Sequence, residues 1–264
     1  MSIDVAVIAA RERRQAIADL LEEDGRVSVA ELVVRFGVTD VSIRRDLTIL
    51  EDSGLVRRVH GGAVVTARNR RDGAYATKAR ENRELKARIG AAAAALIHQD
   101  HVVVFDSGST VAQVATHMPR ALRRGSAITI VTNSLPVVEE ISGWDGPHLV
   151  VLGGLYLPDY QALVGPQTVA ELRELSADIV FVGCDGLTGD SGLTTPHVLV
   201  AEVGATMVAR ASRVVAVADS TKLGRRGFTP IAPLSAVHVL VTNADADPAH
   251  IALVRDAGIE VILT

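Results

Sequence analysis

The chain has 264 residues, of which 48% are hydrophobic and only 3% aromatic, and its formal net charge is −4. A chain of this length accommodates one small and one medium domain, with cores built mainly from aliphatic side chains. It has no apolar run of membrane-spanning length, no pattern of a secretion signal and one cysteine, Cys184, which excludes an internal disulfide. We therefore expect a cytoplasmic protein.

The charge is unevenly distributed along the chain. Residues 1–88 contain 17 Lys and Arg against 14 Asp and Glu, whereas the remainder contains 10 against 17. A mildly basic N-terminal part fits a nucleic-acid-binding domain in which local arginines, rather than bulk charge, make the contacts. Residues 1–66 alone are slightly acidic, so we expect weak sequence-independent binding, for which a dimer with two recognition helices would compensate.

Two short helices are predicted at the N-terminus. Apolar residues recur at helical spacing along residues 13–23, and Gly25 ends that segment. Ser28 is typical of an N-cap, and Glu31, three residues further on, completes a capping box. The second helix is therefore predicted to span residues 29–36, followed by a glycine turn.

The third predicted helix, residues 39–50, presents polar side chains outward. Its apolar residues fall on one face: Ile43, Leu47 and Leu50. Thr39 is its N-cap, Ser42 and Arg45 lie opposite the apolar face, and Arg44 lies on the flank. Paired arginines on an anchored helix suit a DNA major groove, where a guanidinium can bind a guanine edge bidentately. The alternative is a solvated charged face.

Alternating residues at 55–65 predict a β-hairpin that turns around Gly61-Gly62. Two helices, a glycine turn, an outward-basic helix and a hairpin make up the winged helix-turn-helix pattern. In this pattern Arg57, Arg58 and His60 belong to the hairpin, or wing, where they could contact the flanking DNA backbone or minor groove.

Residues 67–82 are polar and basic and lack an apolar period, which is typical of a linker between domains. Arg68, Arg70 and Arg71 could contact the DNA backbone, and a solvated linker is the alternative. A helical pattern returns from residue 83 to 97 and opens the second domain. Its apolar positions are Leu85, Ile89, Ala93 and Leu96.

Seven apolar runs, rich in valine and isoleucine, follow in the second domain, with helical segments between most of them. They are residues 101–105, 127–131, 149–152, 179–182, 214–218, 237–241 and 259–263. Continuous apolar strands are typical of a mainly parallel sheet that is buried on both faces. We therefore predict an open Rossmann-like α/β fold, in which ligands bind beyond the carboxyl ends of the strands.

Small and polar residues follow five of these runs. They are Asp106, Ser107, Gly108, Ser109 and Thr110, then Thr132 and Asn133, Gly153 and Gly154, Asp185, and Lys222. The first group opens a helix, whose free amides and hydroxyls would favour an anion such as phosphate. An ordinary capped turn is the alternative. Lys222 offers a positive charge for a phosphate or sugar oxygen, and Asp185 could accept hydrogen bonds from sugar hydroxyls.

Four segments then carry a family resemblance: 42–47 (SIRRDL), 60–63 (HGGA), 106–110 (DSGST) and 218–224 (ADSTKLG). Through them the chain resembles the DeoR family of bacterial transcription regulators over nearly its whole length. Thr39 and Ser42 stand where that family commonly has Ser and Thr, so both positions keep a hydroxyl. The resemblance also implies that Ser28, the N-cap of the second predicted helix, is a DNA-binding residue.

The resemblance implies the domain organisation and the function. A winged helix-turn-helix domain would occupy residues 11–66, a linker residues 67–82, and a sugar-phosphate effector domain similar to ribose 5-phosphate isomerase residues 83–264. It implies a homo-oligomer, dimer or tetramer, that binds a double-stranded DNA operator and that a phosphorylated sugar releases. Repression of a carbohydrate-metabolism operon is the default expectation, and activation is the alternative.

An enzyme of sugar phosphates is the second class of function. Asp106, Asp185 or Glu202 could serve as its base, but the chain lacks the glycine-flanked lysine loop that the isomerases place at the reacting carbons. The eight histidines show no pair at metal-ligand spacing, and there is no nucleophile elbow. We therefore expect no enzyme activity, no metal and no cofactor.

Overall fold

The computed structural model describes residues 10–52, 56–65, 67–124 and 127–264, and within them the side chains other than those of residues 11, 22–24, 65 and 67–73. The predicted roles of Arg68, Arg70 and Arg71 fall outside the described side chains. The chain divides into two compact units, Met1–Ala74 and Tyr75–Thr264, here called the N-terminal unit and the sensor unit.

The N-terminal unit contains three helices and a small antiparallel sheet of order β1-β3-β2. In chain order these are α1 (Ala10–Asp24), β1 (Arg26–Ser28), α2 (Val29–Phe36), α3 (Asp40–Asp52), β2 (Val56–Val59) and β3 (Gly62–Val65). The predicted helices, capping box and hairpin are all present. Strand β1 was not predicted, because three residues are too few to show alternation. A Cβ at Gly62 would lie 2.1 Å from the Val27 carbonyl oxygen, so the close pairing of β1 with β3 requires glycine there.

A buried ion pair joins α3 to α1. Asp46 lies on the core face of α3, where it accepts from Arg13 Nε at 2.7 Å and from Arg14 Nη1 at 3.3 Å. Asp46 and Arg13 are both buried, so each charge relies on partners inside the protein. Asp46, which sequence reasoning left unexplained within its motif, is therefore a structural residue of the N-terminal unit.

Seven helices and twelve strands follow among the described residues. They are α4 (Ala67–Arg80), α5 (Arg83–Ala94), β4 (Val102–Phe105), α6 (Ser109–Thr116), β5 (Thr129–Thr132), α7 (Leu135–Ile141), β6 (His148–Val151), β7 (Leu155–Leu157), β8 (Ala162–Val164), α8 (Pro166–Arg173), β9 (Ala177–Val182), β10 (Gly186–Thr188), β11 (Gly192–Thr195), α9 (Val198–Ala209), β12 (Ala211–Val217), β13 (Thr229–Ala232), β14 (Val239–Thr242), α10 (Pro248–Asp256) and β15 (Glu260–Leu263). None of these helices is long and apolar enough to cross a membrane.

All seven predicted apolar runs form one parallel sheet, of order β6-β5-β4-β9-β12-β14-β15. The order runs one way from β4 to β6 and the other way from β9 to β15. Loops after β4 and β9 therefore diverge and leave a crevice at the carboxyl ends of these two strands. The prediction of a Rossmann-like parallel sheet is confirmed.

Successive side chains of the central strands enter two separate cores. Phe105 and Phe181 stack at 5.4 Å between ring centroids on the face covered by α5, α6 and α7. Val104 and Val180 point to the other face, covered by α8, α9 and α10. Burying each such side chain stabilises the fold by about 1.5–3 kcal/mol. The prediction of burial on both faces is wrong for the edge strands β6 and β15, which are largely exposed because the helices cover the middle of the sheet.

Two features of the sensor unit were not anticipated. Strands β7 and β8 pair with each other, and β10, β11 and β13 form a second antiparallel sheet. These strands have only three or four residues, too few for a clear pattern. The segment that was predicted to be a linker instead forms helix α4. Asn82, whose φ of 53° lies in the left-handed region, separates α4 from α5.

Candidate functional sites

Helix α3 has the predicted division between a buried and an exposed face. Ile43, Leu47 and Leu50 are buried in the N-terminal core, whereas Arg44 and Arg45 are exposed. Thr39 caps the helix, because its Oγ1 accepts from the Ser42 amide at 3.3 Å and lies 3.0 Å from the Ser42 hydroxyl. The helix is therefore anchored by its apolar face and leaves its basic face available to a partner.

The two adjacent arginines have different surroundings. Arg44 binds the Asp40 carboxylate with two nitrogens, Nε to Oδ1 and Nη2 to Oδ2, the latter at 3.2 Å. This hydrogen bonding raises the pKa of Arg44 and lowers the pKa of Asp40. Among the described side chains Arg45 has no ion-pair partner. Of the two guanidiniums, that of Arg45 is thus the one open to a new partner.

The wing and the cap of α2 support α3. The Arg58 amide donates to Glu51 Oε1 at 2.8 Å, and Arg58 Nη1 donates to Thr48 Oγ1 at 3.2 Å, which ties the wing to α3. Arg57 and His60 are exposed beside it. The Ser28 hydroxyl accepts from the Glu31 amide at 3.1 Å, as the capping box predicted. Each predicted DNA-binding residue thus lies on, or caps, an element of the winged helix.

A pocket opens in the sensor unit at the crevice between β4 and β9. Seven of the predicted effector residues line it: Asp106, Ser107, Gly108, Ser109, Thr110, Asp185 and Lys222. Gly108 adopts φ 123°, and α6 begins at the next residue with no side-chain cap, so the first amides of α6 keep their donors. An anion is favoured at such a helix start, particularly beside a lysine.

Burial changes the acidity of two groups in this pocket. It raises the pKa of Asp106, which is 2% exposed, to about 7, although the amides of Ser107 and Gly183 donate to its carboxylate. It also raises the pKa of the Cys184 thiol to about 12. Cys184 is therefore protonated and a poor nucleophile at neutral pH. Asp106 can exist in either form, as a donor or as an acceptor towards a ligand hydroxyl.

Residues that sequence reasoning missed complete the pocket lining. They include Tyr75, Lys78, Lys86, Tyr160 and Thr195. Burial lowers the pKa of Lys86. Burial also acts to lower the pKa of Lys78, but the hydrogen bond and charge of Asp185, with smaller contributions from neighbouring groups, together outweigh this effect and raise it. The burial of Lys86 could have been predicted from the sequence, because it lies three residues before Ile89 and therefore on the same, buried face of α5. No sequence pattern distinguishes Lys78 from the other basic residues of its segment.

Four predicted effector residues lie outside this pocket lining, and the structure gives them other contacts. Thr132 Oγ1 donates to the Phe105 carbonyl at 2.8 Å, and Asn133 Nδ2 donates to the Leu163 carbonyl at 2.9 Å. The Gly153 amide donates to a carboxylate of α8, and a Cβ at Gly154 would lie 2.2 Å from a hydroxyl of the same helix. These residues hold the loops after β5 and β6 in place.

No group of three or more His, Cys, Asp or Glu side chains within the described part of the chain is arranged to hold a metal ion. The pocket polar groups are instead lysines, hydroxyls, amides and carboxylates, which suit an organic anion that carries hydroxyl groups. These groups can bind a ligand by charge and by hydrogen bonds.

The fold and these two sites define a class of protein, in which a winged helix-turn-helix unit is joined to a Rossmann-like α/β unit. The family model of the DeoR-like helix-turn-helix domain matches residues 13–69, and that of the DeoR C terminal sensor domain matches residues 81–244. This chain belongs to the DeoR family and is a DNA-binding transcriptional regulator. The enzyme alternative is not favoured.

Curated relatives match over almost the full length. The chain is 35% identical to the HTH-type transcriptional regulator GlpR of Haloferax volcanii, over 95% of this chain and 96% of that protein. It is 28% identical to the HTH-type transcriptional repressor GlcR of Bacillus subtilis, over 96% of each. The solved structure of ribose 5-phosphate isomerase A from Methanocaldococcus jannaschii is 19% identical and covers 54% of this chain and 55% of its own, with a TM-score of 0.40.

Proposed function

We propose that this chain is a cytoplasmic repressor that binds its operator through α3 and loses operator affinity when a phosphorylated sugar binds the sensor pocket. One observation supports the effector class above the others. The uncapped start of α6, Lys222 and Asp185 line the same pocket, so an anion site and a hydroxyl acceptor lie within reach of one small ligand.

For DNA binding, we assign a contact with a base edge to Arg45 and a contact with a phosphate to Arg44. Arg45 is exposed and has no described ion pair, so its guanidinium can approach a guanine edge without first losing a partner. On binding DNA, Arg44 would either keep its ion pair with Asp40 or exchange it for a contact with a phosphate. The hydroxyls of Ser28, Thr39 and Ser42 and the wing residues Arg57, Arg58 and His60 would contact the backbone and fix the register.

On the effector side, we assign the phosphate to the loop Ser107–Thr110 and Lys222. The Asp185 carboxylate and the Asp106 carboxyl would bind hydroxyl groups of the sugar. Binding lowers operator affinity only if the ligand prefers the conformation that binds DNA poorly, and by no more than that preference. GlcR, a named repressor, is among the relatives, which favours repression over activation.

We further propose that the chain acts as a homo-oligomer, a dimer or a tetramer. One winged helix reads a half-site of only a few base pairs, and two of them held together bind a repeated or inverted operator far more tightly. Sedimentation equilibrium of the full chain tests this proposal. A monomer at concentrations that saturate the operator would contradict it.

The main experiment uses DNA from upstream of the gene that encodes this chain. We expect sequence-specific retardation of that DNA, with an affinity that falls steeply as salt rises. A thermal-shift screen with ribose 5-phosphate, fructose 6-phosphate, glucosamine 6-phosphate and the free sugars then tests the effector class, because a ligand that binds only the folded state raises its stability. Retardation equal to that of unrelated DNA would contradict the DNA proposal, and stabilisation by free sugars alone would contradict the phosphate site.

A further inference from the structure

The last turn of α4 is bound by the residues to which we assign effector recognition. Lys78 Nζ donates to Asp185 Oδ1 at 2.8 Å, in the loop after β9. The Lys78 carbonyl oxygen accepts from Ser109 Oγ at 3.3 Å, at the start of α6, and also from Lys86 Nζ of α5. We call these three contacts the α4 anchor. They all lie within the sensor unit.

The side chains of the anchor are partly open to ligands. The Lys78 side chain is 42% exposed and that of Asp185 26% exposed. The second carboxylate oxygen of Asp185 accepts from Thr195 Oγ1 at 2.9 Å, and the Tyr160 ring lies 5.3 Å from Lys78 Nζ, so both ends of the pair are oriented. An ion pair with this exposure contributes little stability, and a ligand that offers hydroxyl groups can therefore replace it.

Helix α4 also spans the division between the two units. It begins at Ala67 and ends at Arg80, whereas the division falls after Ala74. Its last turn is held by pocket residues, and its first residues belong to the N-terminal unit. The last turn of α4 therefore belongs to the segment that connects the two units along the chain.

We propose that the effector and α4 compete for the same groups of the pocket. A phosphate takes the Ser109 hydroxyl from the Lys78 carbonyl, and sugar hydroxyls take the Asp185 carboxylate from the Lys78 ammonium. The α4 anchor then keeps only its Lys86 contact, and the loosened helix is the change that lowers operator affinity. This inference rests on the proposed function of the pocket and adds the means by which the pocket acts on DNA binding.

Competition fixes the sign of a mutational effect. If Lys78 holds α4 in the DNA-binding arrangement, then Lys78→Met favours the arrangement that the effector prefers. By linkage, operator affinity then falls and ligand affinity rises by up to the same factor, about three- to fivefold for a partly exposed pair. A lysine that only contacts the ligand predicts the opposite, which is unchanged operator affinity and weaker ligand binding.

The experiment compares four variants of the full chain. Lys78→Met removes the ammonium, Lys78→Arg keeps the charge, Asp185→Asn removes the acceptor, and Arg88→Met removes an exposed positive charge from α5 as the matched control. Operator affinity is measured without ligand, and calorimetry then follows the binding of ribose 5-phosphate and of inorganic phosphate. We expect Lys78→Met to bind the operator three- to fivefold more weakly and both probes more tightly. Asp185→Asn should bind both the operator and ribose 5-phosphate more weakly. Lys78→Arg should lose less operator affinity than Lys78→Met, and Arg88→Met should resemble the wild type.

A direct measurement on α4 needs neither DNA nor ligand. We expect amide hydrogen exchange across residues 75–81 to be about three- to fivefold faster in Lys78→Met and Asp185→Asn than in the wild type and Arg88→Met. Unchanged exchange together with unchanged operator affinity in Lys78→Met overturns the proposal, and so does a loss of probe affinity at full operator affinity. Failure of the proposed function looks different, because the wild-type chain itself would then not retard its upstream DNA.

Discussion

The recognition helix and the sensor pocket hold their functional side chains in opposite ways. On α3 the candidate groups are neighbours in sequence, exposed, and carried by an apolar face on the other side of the helix. In the pocket they come from α4 and from the loops after β4, β9 and β12, and several are buried. Substitutions of the exposed α3 residues should therefore change DNA binding without changing stability, whereas substitutions of the buried pocket residues should change both.

The largest difference should appear in the pH dependence of the sensor unit. The folded-state pKa of Asp106, about 7, lies above its ordinary 3.8, so its contribution to stability is fully present below about pH 4 and is lost as the pH rises to about 7. We expect Asp106→Asn to remove a loss of about 4 kcal/mol in the free energy of unfolding over this range. Urea denaturation of the sensor unit at several pH values measures it. Asp190→Asn, at an exposed carboxylate, is the control, and parallel profiles for wild type and Asp106→Asn would contradict the assignment.

The next effect separates structural from functional charges within α3. Asp46→Ala removes the buried partner of Arg13 and Arg14, and we expect it to lower the stability of the N-terminal unit by about 3 kcal/mol. Thermal denaturation of this variant beside Arg45→Ala gives the comparison. Equal stability of the two variants would show that the buried pair does not hold α3 to α1.

Arg45→Ala should act on binding alone. We expect operator affinity to fall by roughly 5- to 150-fold, corresponding to about 1–3 kcal/mol, because a base contact is lost, with stability unchanged within about 0.5 kcal/mol. Fluorescence anisotropy with the upstream DNA and with a scrambled duplex measures affinity and specificity together. A similar loss on both duplexes would reassign Arg45 to the phosphate backbone.

The smallest effect concerns the exposed pair on α3. Asp40→Asn removes a negative charge from the proposed DNA-binding face and removes the ion-pair partner of Arg44. We expect operator and scrambled DNA to bind about two- to threefold more tightly at low salt, with the gain disappearing at high salt, because exposed charges are screened. A loss of specific binding only would instead show that Asp40 itself reads a base or holds Arg44 in its reading position.

Local patterns were sufficient for most elements and for the recognition helix. The spacing of Ile43, Leu47 and Leu50 set which face of α3 is buried, and the capping box set the start of α2. The seven apolar runs were long enough to identify each strand of the parallel sheet. These features depend on residues within one helical turn or one strand, so they can be read along the chain.

The pocket lining and the role of α4 depended on contacts between distant segments. Lys78 and Asp185 are 107 residues apart. Thr132 and Asn133, at the end of β5, donate to neighbouring backbone carbonyls, whereas Ser107, in the loop after β4, lines the pocket. Residue types at the strand ends predicted an anion site, but only the strand order placed β4 beside β9, where the diverging loops leave a crevice. Periodicity records which side of an element is buried, whereas the folded sheet decides which elements meet.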